Sequence, residues 1–179
     1  TMTVVPYATD SKIFCDFFGY STCAIGIALC LGFALPDNFR FPYAAIGFSD
    51  FWRRWHMTLS TWLRDYLYIP LGGNRDGTTR TYINLSITML LGGLWHGGAW
   101  TFVVWGLLHG VATAVHKLWA SSGRQLSGLS GWLLTFAFLN VTWVFFRAPD
   151  VETAVNLLKS MVGMNGTVFP KQLSTLEWL

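Results

Sequence analysis

From Thr81 to Trp119 the chain runs 39 residues with Lys117 as its only charged side chain. A hydrocarbon core of ~30 Å takes about 20 residues of helix, so this stretch is too long for one unbroken crossing. Gly92-Gly93 and Gly97-Gly98 interrupt it. The reading is two helical spans, 82–95 and 98–119, with a break around Trp95-His96.

Two other runs share this character. Phe17–Leu35 gives 19 residues without a charge, ended by Pro36-Asp37-Asn38, and Gly131–Phe146 is charge-free up to Arg147-Ala148-Pro149. They predict spans at 17–35 and 129–146. Gly19, Gly26 and Gly32 would weaken a soluble helix but allow membrane helices to approach closely. Only 12% of the residues are charged and 53% are hydrophobic, against about a quarter charged in an ordinary soluble domain. The fold class expected is all-α, a multispanning membrane protein in contact with membrane lipid. A net charge of +3 on so apolar a chain gives no reason to expect a nucleic-acid partner. No basic segment precedes the first apolar run, so no cleaved signal peptide is expected, and the abrupt ends suggest a piece of a larger membrane protein.

Between Asp37 and Arg80 the character changes: six Arg and four Asp stand among many aromatics. Ser49 is placed to N-cap an amphipathic or re-entrant helix over 50–69, closed by Pro70 and the Gly72-Gly73-Asn74 turn. Its aromatic stripe includes Phe51, Trp52, Trp55, Trp62 and Tyr66. The six Arg favour the cytoplasm for this segment, although Lys117 and Arg124 in the 117–127 loop pull against simple alternation. Val151–Met161 reads as a short amphipathic helix and the remainder as loop.

Ionisable residues inside apolar segments are functional candidates by default. His96 has two readings of equal weight from spacing alone. It ties down a backbone carbonyl freed by the glycine break, or it is a neutral imidazole that removes a proton from a hydroxyl. His56, one turn before Ser60, reads on spacing alone as an interfacial polar tip, with orientation of a substrate as the alternative. His109 and His116 share a helix face and read as an interhelical hydrogen bond and a membrane-edge residue. Arg53, Arg54, Arg64 and Arg75 suit phosphates or simple anchoring, and the neighbouring aromatics suit stacking on a base. Cys15, Cys23 and Cys30 read as small buried hydrophobes. No phosphate-binding glycine motif, nucleophile elbow or zinc spacing is present, so no metal is expected.

The residues Asp50-Phe-Trp-Arg-Arg-Trp-His56, continuing through Asp65-Tyr-Leu-Tyr-Ile-Pro-Leu-Gly-Gly-Asn-Arg75, closely resemble the hallmark stretch of the membrane-bound O-acyltransferase (MBOAT) family. Leu91-Gly-Gly-Leu-Trp-His96-Gly-Gly-Ala-Trp100 resembles its second hallmark. Phe17-Phe-Gly-Tyr-Ser21 and Trp143–Ala148 are similar to flanking segments of its alginate O-acetylase-like bacterial branch. One departure is Cys23 after Ser21-Thr22, where an Asp-Met-Ala-like run is expected.

The resemblance implies a helical ring around a tunnel, of which this chain is a central and C-terminal part within one membrane domain. It implies acetyl transfer from acetyl-CoA or a similar cytoplasmic thioester toward an exported, alginate-like polysaccharide or a periplasmic acetyltransferase partner. The location implied is the bacterial inner membrane, and no tightly bound cofactor is implied. By the same resemblance His96 is the catalytic residue and His56 a second active-site residue. Arg53 and Arg54 are expected to face the cytoplasmic donor entrance, with Trp55 as the adjoining aromatic. Peptidoglycan O-acetylation and teichoic acid D-alanylation share these motifs, and a transporter or a non-catalytic subunit are the readings from other classes.

Overall fold

The computed structural model describes residues 5–123 and 127–164, with side chains from Ser11 onward. Arg124 and the loop expected beyond residue 164 lie outside the described residues. All regular structure among them is helical: α1 (Val5–Cys30), α2 (Phe48–Trp52), α3 (Met57–Leu63), α4 (Gly77–His96), α5 (Trp100–Ser121), α6 (Gly128–Arg147) and α7 (Val151–Met161). The stretches Ser11–Cys30 and Gly128–Arg147 are long and apolar enough to cross a membrane.

The first apolar run stops being helical earlier than its composition suggests. Gly32 adopts φ 86, and the Gly32 and Phe33 amides donate to the carbonyls of Leu29 and Ala28 at 3.0 and 2.9 Å. This left-handed cap satisfies the last free carbonyls and ends α1 at Cys30, leaving 31–35 as loop. The three cysteines are exposed on α1 and do not pack as buried hydrophobes. The inward face of the helix instead carries Ile13, Phe14, Phe17 and Ser21.

The single helix expected over 50–69 is broken in two and then widens. α2 and α3 are separated at His56, which sits in the left-handed region at φ 43 and ψ 55. Residues 64–68 form one π turn. Ser49 lies inside α2 and does not cap it; Gly47 holds that position. The break has a cause outside the helix. The segment 38–40 runs beside 54–57, with Met57 N–H donating to the Asn38 carbonyl and Arg40 N–H to the Arg54 carbonyl, both at 2.9 Å.

α4 and α5 form a tight antiparallel hairpin. A Cβ at Gly110 would lie 2.9 Å from Ser86 Cα, and one at Gly93 would lie 3.0 Å from Gly106 Cα. Glycine therefore sets the spacing of these two helices. α6 starts from Ser127, whose hydroxyl accepts from Ser130 N–H at 3.2 Å. α7 starts from Asp150, whose carboxylate accepts from Thr153 N–H at 2.7 Å. The core lies where α2, α5 and α6 meet, built on Phe51, Trp55, Trp105, Leu139 and Trp143.

Candidate active site

His96 is the last residue of α4, and Gly97 leaves the helix in an extended conformation. Its half-buried ring is enclosed by Trp95, Phe102, Trp105 and Phe146, with centroids 5.0, 6.2, 5.3 and 5.0 Å away. Three helices contribute to this box. Among the described residues no hydrogen bond holds either ring nitrogen, so the backbone-tying reading of His96 is not what the fold forms. An imidazole held by ring contacts alone keeps its lone pair for another partner.

His56 also packs against Trp95, with ring centroids 6.4 Å apart. Its edge packs on Phe17 of α1 at 4.7 Å. Nδ1 lies 3.1 Å from Asn38 Oδ1. Burial, helped by the nearby His96, pushes His56 down to about 4, so its ring is neutral at neutral pH. A non-glycine residue held at positive φ costs roughly 1–3 kcal/mol, which surrounding bonds must offset. Here the two backbone bonds between 38–40 and 54–57 bracket the strained residue. The two histidines, 40 positions apart in sequence, both pack against Trp95.

Two cavities lie in this part of the chain, the smaller lined by His56 and Trp95 and the larger by neither histidine. One, of about 350 Å³, is lined by His56, Thr58, Leu59, Trp62 and Trp95. The other, of about 550 Å³, is lined by Trp52, Arg53, Ser60, Arg64, Tyr68 and Thr113 together with aliphatic side chains. Arg53 is exposed and carries no ion pair among the described residues. Arg64 binds Asp65 at 2.7 Å, and that bond holds the carboxyl of Asp65 below the usual carboxylate range.

Of the side chains expected to meet a donor, two have partners within the fold. Arg54 bonds Asp50 at 2.9 Å within its own segment. Trp55 is 4% exposed, its ring packed among Phe39, Phe51 and Trp143 at 5.0, 5.7 and 4.9 Å. It is a core residue with no face free for stacking. His109 does not make the interhelical hydrogen bond expected of it: both nitrogens are buried without a partner among the described residues, because Trp52, Trp105 and Phe138 surround the ring. His116 Nδ1 lies 3.4 Å from Ser49 Oγ and joins α5 to α2. Asn38, which sequence reading treated only as a helix stop, contacts His56 directly. Its distance in sequence hid that role.

The sequence profile of the MBOAT, membrane-bound O-acyltransferase family matches residues 2–148. The chain belongs to that family. The MBOAT chain is 49% identical over 169 residues to a peptidoglycan O-acetyltransferase of Helicobacter pylori, covering 92% of this chain and 32% of the relative. It is 47% identical over 155 residues to a probable alginate O-acetylase of Pseudomonas putida, covering 86% and 32%. It is 33% identical over 130 residues to a teichoic acid D-alanyltransferase of Streptococcus thermophilus, covering 69% and 31%. The chain therefore spans about a third of the length of the curated relatives it matches. His56 and His96 of this MBOAT chain both lie within the matched residues.

Proposed function

We propose that the protein is a multi-pass O-acyltransferase of the bacterial inner membrane, moving an acetyl group from a cytoplasmic thioester such as acetyl-CoA to a hydroxyl of an exported polysaccharide. The acceptor class includes alginate-like polymers and peptidoglycan, the two acceptors in the names of the relatives at 47% and 49% identity. A periplasmic partner that relays the acetyl group fits the same chemistry. In this reading the helices of the chain form part of a ring around a tunnel in which donor and acceptor meet from opposite faces.

The observation that carries the proposal is the convergence of two imidazoles, His56 and His96, on Trp95 in an otherwise apolar and aromatic setting, with His56 and Trp95 lining a cavity. A ring nitrogen of His96 accepts the proton of the acceptor O–H as its oxygen attacks the thioester carbonyl carbon. A C–O bond forms, the C–S bond breaks, and the leaving thiolate takes the proton back from the imidazolium. His96 returns neutral. His56 orients the reacting acyl or acceptor group. Arg53 provides a cation at the mouth of the larger cavity for anionic groups of the donor.

The test is polymer-linked acetate in cells carrying the full-length protein with His56→Gln, at matched membrane abundance. Acetate falling at least about tenfold is expected; unchanged acetate would count against the enzyme reading and favour a scaffold. Arg53→Ala should raise the KM for the donor about tenfold, the size of one lost charge-assisted hydrogen bond, with kcat nearly unchanged. Arg54→Ala, which removes only the bond to Asp50, should leave that KM alone. Equal effects of the two substitutions on KM would overturn the assignment of Arg53.

A further inference from the structure

We infer that Asn38 is the positioning residue of His56, and that its side-chain oxygen fixes the imidazole as the Nδ1–H tautomer with the lone pair on Nε2. The inference rests on the reading of His56 as an active-site residue and adds to it a second residue and a defined proton position.

The neighbours of the Asn38 amide fix which of its ends faces His56. One amide atom has three neighbours: Thr58 Oγ1 at 2.9 Å, His56 Nδ1 at 3.1 Å and the Thr58 backbone nitrogen at 3.4 Å. A backbone N–H only donates, so the atom it faces is an acceptor and must be the amide oxygen. The other end of the amide then donates to Ser21 Oγ at 3.2 Å, a hydroxyl buried on the inward face of α1. Asn38 is thus held from both ends, by α1 and by the start of α3.

An oxygen that only accepts leaves His56 Nδ1 as the donor. A neutral imidazole has one N–H, so Nε2 is the acceptor nitrogen. The same residue holds the backbone: the Asn38 carbonyl accepts from Met57 N–H at 2.9 Å, one residue past the left-handed turn at His56. Side chain and main chain of Asn38 therefore act together on one position. A spacer of 17 residues separates Asn38 from His56, and the ring also lines the smaller cavity with Trp62 and Trp95. A histidine that only filled space would not require its tautomer to be set.

The test uses the full-length protein in membranes. Asn38→Leu, which keeps the volume and removes the acceptor, should lower kcat about 10- to 100-fold with little change in the KM for the donor, in line with losses at orienting partners of histidines. Asn38→Asp keeps the acceptor and should recover most of that rate. Added to His56→Gln, Asn38→Leu should cost nothing further in kcat. A full additional loss in that background would mean a structural role and overturn the inference. If Asn38→Leu fails to fold, the wild-type protein still decides the matter by the ¹⁵N spectrum of its histidines, with the His56 signals assigned by their loss in His56→Gln. A protonated Nδ1 with an unprotonated Nε2 supports the inference, and the reverse pattern overturns it. Failure of the functional reading is seen separately, as full activity in His56→Gln itself.

Discussion

Replacing His96 with alanine in the full-length protein is expected to lower acyl transfer by about 10²- to 10⁴-fold, the range carried by a positioned general base. That corresponds to roughly 3–5 kcal/mol of barrier. The fold should tolerate the change well. His96 makes no hydrogen bond among the described residues and is only half-buried, so truncation leaves no buried donor or acceptor without its partner. What is lost is ring packing against Trp95, Trp105 and Phe146. Membrane abundance should therefore stay near wild type while acetate on the polymer disappears, and donor thioester turnover in isolated membranes should fall in parallel. Retained acetate at normal abundance would remove His96 from the chemistry and return a transport or scaffold role to consideration.

The parts of this site that were legible in the sequence are those written by local pattern. The apolar runs mark α4, α5 and α6 to within a few residues, because a long charge-free stretch bounded by glycine or proline has few other ways to satisfy its backbone. The glycine pair after His96 marked the end of α4. What was not legible is set by contacts distant in sequence. The aromatic stripe from Phe51 to Tyr66 is continuous with helical spacing, yet the chain breaks at His56, since 38–40 supplies backbone partners that no window around His56 contains. Trp55 looked available beside two arginines. It is buried because Phe39, Phe51 and Trp143 converge on it from three parts of the chain. A polar residue beside an aromatic helix can be read as a ligand contact or as a core neighbour, and only the packing of the remaining elements separates the two.

The same dependence on distant packing makes a glycine far from any proton transfer the second position where a large effect is expected. A Cβ at Gly106 would lie 2.6 Å from the Met89 carbonyl oxygen, 3.1 Å from Leu90 Cα and 3.2 Å from Gly93 Cα. All three atoms are backbone, so no side-chain rotation relieves the overlap and α4 and α5 must separate. Gly106→Ala is expected to destabilise the protein by about 1–3 kcal/mol, as overpacking of a close interface does, and Gly106→Val by more. The cost reaches the site because Gly93 lies on α4 one turn before His96, and Phe102 and Trp105 of the box belong to α5. A displacement of about 1 Å in a reacting group lowers rates about 100-fold, so the fraction of Gly106→Ala that remains folded should also show reduced kcat. Gly98→Ala is the matched comparison: nothing lies within 4 Å of a Cβ there, and its effect should stay within about 0.5 kcal/mol. Thermal unfolding and donor turnover of the two purified full-length variants provide the measurement. Equal stability and equal turnover in both would mean that α4 and α5 are not held at the distance His96 requires by their glycines.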